Sequence, residues 1–217
     1  MTCPAINIQI TALIDSFGFD NCLFERNRNA VGAGGSIQLV GKNLFLYVLQ
    51  STFYKCTSDG IGGAIYFNSN SSIIEKICVI ECRSKLYHHF CHINCIDGFE
   101  NNTSYISLSR SPYTGSDGIQ TMHVQGGKLY FHNSNLTYSY CQATPSIAIN
   151  QPDPLEAKFN TIMSNYASEN RIIEIKGPGL RNNLQFFNII NNTQKMNING
   201  IVYLTSGSNF TFSNSIF

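Results

Sequence analysis

Two short motifs return about every 27 residues along the whole chain and stay in phase with one another. In the first, an aromatic or aliphatic residue is followed three positions on by a small polar one: Phe24 to Asn27, Phe53 to Cys56, Val79 to Cys82, Leu108 to Ser111, Tyr138 to Cys141, Ile162 to Asn165 and Ile189 to Asn192, with Phe217 where the next begins. The second is a glycine-led apolar step, Gly34-Gly35-Ser36-Ile37 and Gly62-Gly63-Ala64-Ile65, whose isoleucine is followed through Ile93, Ile119, Ile147, Ile173 and Ile201. A fixed period in this range implies stacked repeats, in which each unit buries its apolar face only against its neighbours.

Within each period, short runs alternate apolar with polar. Ile65 and Phe67 flank Tyr66, and Ile173 and Ile175 flank Glu174. Period-two alternation over four to six residues marks a strand with one buried face. A second run leads into the first motif, as in Leu44 to Phe53, where Phe45, Tyr47, Leu49, Ser51 and Phe53 share one parity. No segment sustains a helical apolar stripe. Two or three short strands per period predict an all-β, right-handed parallel β-helix of about seven coils of ~27 residues, a pectin-lyase-like solenoid roughly 34 Å long at ~4.8 Å per coil. A leucine-rich solenoid is excluded by its missing Leu-x-x-Leu-x-Leu pattern.

The 217 residues contain no linker or composition break, so the reading is a single β-helix domain over 1–217. Charged residues make up 12% of the chain and the net charge is +1, which leaves no basic footprint for nucleic acid. No signal peptide or membrane-spanning run is visible, so membrane insertion by this chain is not expected. Eight cysteines, an even number, lean toward an oxidising compartment.

The expected packing follows from the motifs. Ile37, Ile65, Ile93, Ile119, Ile147, Ile173 and Ile201 are expected to stack as one internal ladder, and Phe24, Phe53, Val79, Leu108, Tyr138, Ile162 and Ile189 as a second. Asn27, Asn165 and Asn192, with Cys56, Cys82 and Cys141 in the same phase, are read as turn residues; asparagine there tolerates left-handed backbone and its amide can satisfy turn groups. The double glycines supply positive φ or close approach.

Phe24-Glu25-Arg26-Asn27 matches Phe-x-x-Asn, and Gly62-Gly63-Ala64-Ile65 matches Gly-Gly-Ala-Ile. Alternation of these tetrapeptides resembles the repeats of the chlamydial polymorphic membrane protein family, and similar repeats occur in trichomonad surface proteins. The match is sharp over residues 20 to 82 and degenerate afterwards, and the family's membrane-anchoring portion has no counterpart here. The resemblance implies a β-helical passenger at a cell surface with a role in adhesion.

Potential ligands are densest at Cys78, Cys82, His88, His89, Cys91, His92 and Cys95. On an extended strand, residues four apart lie ~13 Å from each other, too far for two thiolates on one zinc. A disulfide such as Cys82 to Cys91 and reduced core or turn cysteines are the other readings. Gly32-Ala33-Gly34-Gly35 lacks the Gly-Lys-Ser/Thr of a phosphate loop. Asp59 and Asp117 precede equivalent strands two coils apart, ~9.6 Å by the coil spacing, and could bracket a glycosidic bond. His123 and His132 are read as ordinary polar-face residues, and Tyr54, Tyr66 and Tyr130 as outward-facing and stacked between coils. Sequons stand at Asn70, Asn101, Asn102, Asn135, Asn191 and Asn209.

The expectation is therefore a non-catalytic surface or secreted repeat protein, a structural stalk or adhesin and part of a longer repeat protein, with no catalytic, cofactor-binding or metal-ligating residue nominated and no cofactor. Its partners would be a host or cell-surface protein or a glycan, with end-to-end self-association at uncapped coils. The alternative is a polysaccharide lyase or hydrolase. That reading requires carboxylates and a base on one groove, and turns on where Asp59, Asp117, Glu81 and Glu174 point.

Overall fold

A computed structural model describes residues 6–10, 15–96, 99–111, 118–177, 182–196, 200–205 and 210–217. All regular structure among them is β-strand. Every strand pairing is parallel, and the strands assemble into an eight-stranded sheet, a thirteen-stranded sheet and two three-stranded sheets. Each strand pairs with its counterpart one repeat away, as Ile37–Gly41 does with Ile65–Ser69 and that strand with Cys91–Cys95. The chain is a parallel β-helix of about seven turns with ~27-residue spacing. No helix among the described residues is long and apolar enough to cross a membrane.

The eight-stranded sheet buries two columns. One runs Ile37, Ile65, Cys91, Met122, Ile147, Ile173 and Val202; the other runs Leu39, Phe67, Ile93, Val124, Ile149, Ile175 and Leu204. The first corrects the expected isoleucine ladder, because Ile93 belongs to the second column and Ile119 and Ile201 to neither. Coil length is not constant: the column advances 26, 31 and 25 residues from Ile65 through Cys91 and Met122 to Ile147, and the register shifts between Gln120 and Met122. Counting a fixed period therefore loses the register.

The second ladder is Phe24, Phe53, Val79, Leu108, Leu136, Ile162 and Ile189. Leu136 replaces the expected Tyr138, which is 54% exposed at a corner. Burying each such side chain is worth about 1.5–3 kcal/mol.

Corners set which parity faces inward. In Leu44–Leu49 the buried residues are Leu44, Leu46 and Val48, while Phe45, Tyr47 and Leu49 face outward. Gln50 then adopts φ 47° and flips the alternation, so that Ser51 and Phe53 are buried. Such left-handed residues recur at two corners of each coil, as Gln50, Lys76, Tyr105, Asn133, Phe159 and Phe186, and as Arg26, Lys55, Glu81, Arg110, Tyr138, Ser164 and Asn191. The left-handed residue is thus the one before the expected asparagine. The asparagine does the other part of the work: Asn165 accepts from the Ser139 N–H at 2.9 Å and donates to the Leu136 carbonyl at 2.9 Å. Cys56 and Cys82 occupy this corner phase, but Cys141 lies two residues past its corner residue, Ser139, and pairs with Ala167 in a three-stranded sheet.

The double glycines divide the two roles. Gly34 and Gly62 hold φ 65° and 68°, and a β-carbon on Gly35 or Gly63 would collide with the backbone of the next coil. Cys22 is disulfide-bonded. Cys82 and Cys91 are free and buried, which removes the alternative of a disulfide between them and agrees with the reading of reduced core or turn cysteines. Of the sequons, Asn70 and Asn101 are buried, and the Asn101 amide donates to the Gln125 and Gly126 carbonyls. Asn209 lies outside the described residues.

Candidate functional site

The outer face of the thirteen-stranded sheet carries a groove of about 650 Å³. Its floor is built from outward residues of three successive strands: Glu75 on Ser71–Ile80; Glu100, Asn102 and Ser104 on Glu100–Ser109; Lys128, Tyr130 and His132 on Lys128–His132. Parallel pairing places Glu100 beside Lys128 and Asn102 beside Tyr130. The Asn102 amide donates to Glu75 Oε1 at 2.5 Å, and Tyr130 and His132 stack 6.2 Å apart. Burial, with a smaller effect from Lys158 and against that of Glu156, pulls the His132 pKa down, which favours the neutral ring.

One wall comes from the corners. Tyr105, Asn133 and Phe159 hold φ of 56°, 52° and 57°, and the two aromatic side chains remain about half exposed. Phe159 continues into Phe186, their rings 4.7 Å apart and within 6° of parallel. A wall of Tyr105, Asn133 and Phe159 therefore stands beside a polar floor containing two carboxylates, a lysine and an imidazole. Coil spacing of ~4.8 Å is close to the length of one pyranose ring. Aromatic walls with a few placed polar groups suit a ligand that has an apolar face and hydroxyl edges.

Among the described residues, the carboxylates singled out in the sequence do not meet here. Asp59 is paired with Lys85 at 2.7 Å and Arg28 at 3.6 Å, and the Lys85 ammonium holds its pKa below the usual carboxylate range. Glu81 sits at a corner between Lys55 and Arg110. Glu174 is buried on the eight-stranded sheet, bound by Arg171 and Lys176. Asp117 lies outside the described residues. Glu75, Glu100, Lys128 and Tyr105 carry no motif; only their outward parity on neighbouring coils could have grouped them.

The expected cysteine–histidine cluster is split by strand alternation. Cys91, Ile93 and Cys95 face the core, whereas His92 and Asn94 face out. The outward column through His92 reads Tyr66, His92, His123, Ala148, Glu174 and Tyr203. Tyr66 stacks on His92 at 5.1 Å, as expected of an outward tyrosine, and His92 stacks on His123 at 4.8 Å. His88 joins them from the preceding corner, 4.7 Å from His123. The Gly62 and Gly63 N–H groups bond to the carbonyls of Tyr87 and His88, so His88 occupies the position that Gly62 and Gly34 hold in earlier coils, with φ 60°. Burial, reinforced by the neighbouring rings, lowers His88 to about 2 and His92 to about 3. Burial and then Lys176 lower His123 to about 4.

Comparison with family models, curated proteins and solved structures gave no match.

Proposed function

We propose that this chain is a rigid binding repeat of a surface or secreted protein that holds an extended glycan along the groove of its thirteen-stranded sheet. The observation that carries this is the pair of corner aromatics, Tyr105 and Phe159, that line one groove with Glu75, Asn102, Lys128 and His132, Phe159 being extended along the coil axis by its stacking on Phe186. A stiff solenoid fixes these groups across several coils at once, so binding orders few side chains and loses little entropy. Pyranose faces would lie on the rings while hydroxyls exchange hydrogen bonds with the floor. The likeness of its repeats to chlamydial and trichomonad surface repeats supports the same setting.

A glycan array probed with the chain tests this, followed by affinity measurement for any retained glycan. Tyr105→Ala and Phe159→Ala are expected to weaken binding at least tenfold. Absence of any retained glycan, or retention indifferent to both substitutions, overturns the reading.

The presence of Glu75, Glu100, Lys128 and His132 in one groove favours one second reading, cleavage of the bound chain by carboxylates acting as acid and base. Release of reducing ends that is lost in Glu100→Gln would establish it in place of simple binding.

A further inference from the structure

We propose that His88, His92 and His123 form a binding site for a divalent transition ion of the zinc, nickel and copper class. The potential ligand atoms of the three residues all lie within 4.8 Å of one another. His92 Nδ1 is 3.2 Å from His88 Nδ1 and 3.0 Å from His123 Nδ1. Two nitrogens held about 2.0–2.1 Å from a tetrahedral zinc stand about 3.3 Å apart, close to both separations.

Hydrogen-bonding logic leads to the same place. An imidazole nitrogen has one in-plane position, which either carries a proton or offers a lone pair. His92 Nδ1 has nitrogen neighbours on two sides, so one position cannot serve both contacts. A cation that accepts all three lone pairs serves them together.

The tautomer of His88 is fixed from outside the cluster. The Glu174 carboxylate receives Arg171 at 2.8 Å and the Lys176 ammonium, which leaves it an acceptor, so Gln120 turns its amide nitrogen toward Glu174 at 3.2 Å. The Gln120 carbonyl oxygen then faces His88 Nε2 at 3.1 Å, and that nitrogen must carry the proton. His88 Nδ1, on the side of His92 Nδ1, is left with a bare lone pair. A ligand histidine whose second nitrogen donates to a carbonyl is the usual outer support of a metal site.

The three rings lie within 23° of parallel, so binding turns them about χ2 to direct their lone pairs at the ion. Three protein nitrogens leave a fourth position for water or a small ligand. A pocket of about 40 Å³ lined by Gln120, Asn150 and Lys176 adjoins the cluster on its His123 side and has room for one water. The site lies on the eight-stranded sheet and does not depend on the glycan reading.

The test uses the full chain without a histidine tag, stripped with chelator and titrated with Zn²⁺ alone by calorimetry, with Mg²⁺ as the control. One equivalent of zinc is expected, with no magnesium binding. His92→Ala and His123→Ala should each weaken zinc at least tenfold, Gln120→Leu about tenfold, and His132→Ala not at all. Because a substituted coil can lose its packing, the unsubstituted chain supplies a second readout. In ¹⁵N spectra, zinc should move the Nδ1 resonances of His88, His92 and His123 and leave those of His132 in place. No zinc uptake, uptake unchanged in His92→Ala, or movement confined to His132 overturns the site.

Discussion

Phe24 and Phe53 lie face to face with ring centroids 4.7 Å apart and planes within 6°, although a full coil separates them in the chain. Both are fully buried, and Phe53 also meets Phe90 at 5.8 Å. Phe53 therefore closes a contact that neighbouring coils share. Phe53→Ala is expected to cost about 3–5 kcal/mol, since the cavity cannot refill without breaking register with Phe24 and Val79. Urea denaturation followed by circular dichroism measures it, and a loss under about 1 kcal/mol would show that the column is not a principal support.

The glycine corners give a sharper contrast. A β-carbon on Gly63 would lie 2.0 Å from the His89 carbonyl oxygen and 2.6 Å from the Arg83 backbone, atoms that move only if the coils separate. A β-carbon on Gly18 would meet nothing within 4 Å. Gly63→Ala is expected to abolish or severely weaken folding, while Gly18→Ala leaves the melting temperature unchanged or slightly raised, as expected for a strand glycine replaced by alanine. Thermal melts of the two variants side by side decide it, and a Gly63→Ala protein as stable as Gly18→Ala would refute the close approach.

The corner asparagine is a test of polar rather than apolar stacking. Asn165 is buried, and besides its bonds to Ser139 and Leu136 its backbone N–H donates to Asn192 Oδ1 at 3.0 Å. Removing the amide strands the Ser139 N–H and the Leu136 carbonyl inside the stack. Asn165→Ala should cost about 2–3 kcal/mol. Asn165→Ser should recover part of that, because the Ser139 hydroxyl already fills this role for the Ser111 N–H one coil earlier. Denaturant midpoints for the pair check it, and serine faring no better than alanine would assign the loss to volume alone.

What the sequence disclosed and what it hid follow one physical divide. Repetition is printed in the chain because every coil must meet the same two neighbours, and Phe24, Phe53, Val79 and Leu108 were legible for that reason. Register was not, because a loop can lengthen without disturbing either flanking strand, as between Cys91 and Met122. Tyr138 shows the same ambiguity at a corner: a left-handed residue two places past Leu136 carries an aromatic side chain that mimics a buried one. The groove and the histidine cluster were hidden for a further reason. Glu75, Glu100 and Lys128 meet only through pairing between coils, and so does His123 with His92, whereas His88 reaches His92 across the corner four residues away; no local spacing records the pairing. The sequence groups His88 and His92 with cysteines, yet alternation turns Cys91 and Cys95 to the other side of the sheet from His92.

That alternation can be tested through thiol chemistry. Cys78 faces outward and is half-buried, whereas Cys56, Cys82, Cys91, Cys95 and Cys141 are buried. Alkylation needs the thiolate. Burial pushes Cys95 up to about 12 and raises Cys82, Cys91 and Cys141 as well, while the Cys82 thiol lowers Cys56 without exposing it. Among these six, native protein treated with a maleimide near neutral pH is expected to label first at Cys78, with the other five reacting only after denaturation. Burial raises Cys78 too, so its rate should climb steeply as pH increases from 7 to 9, about tenfold per pH unit while the thiol remains mostly protonated. Peptide mass spectrometry after timed quenching reads both results. Rapid native labelling of Cys91 or Cys95 would mean that the strand Cys91–Cys95 opens readily or faces the other way, and either outcome would displace His92 from the outer column.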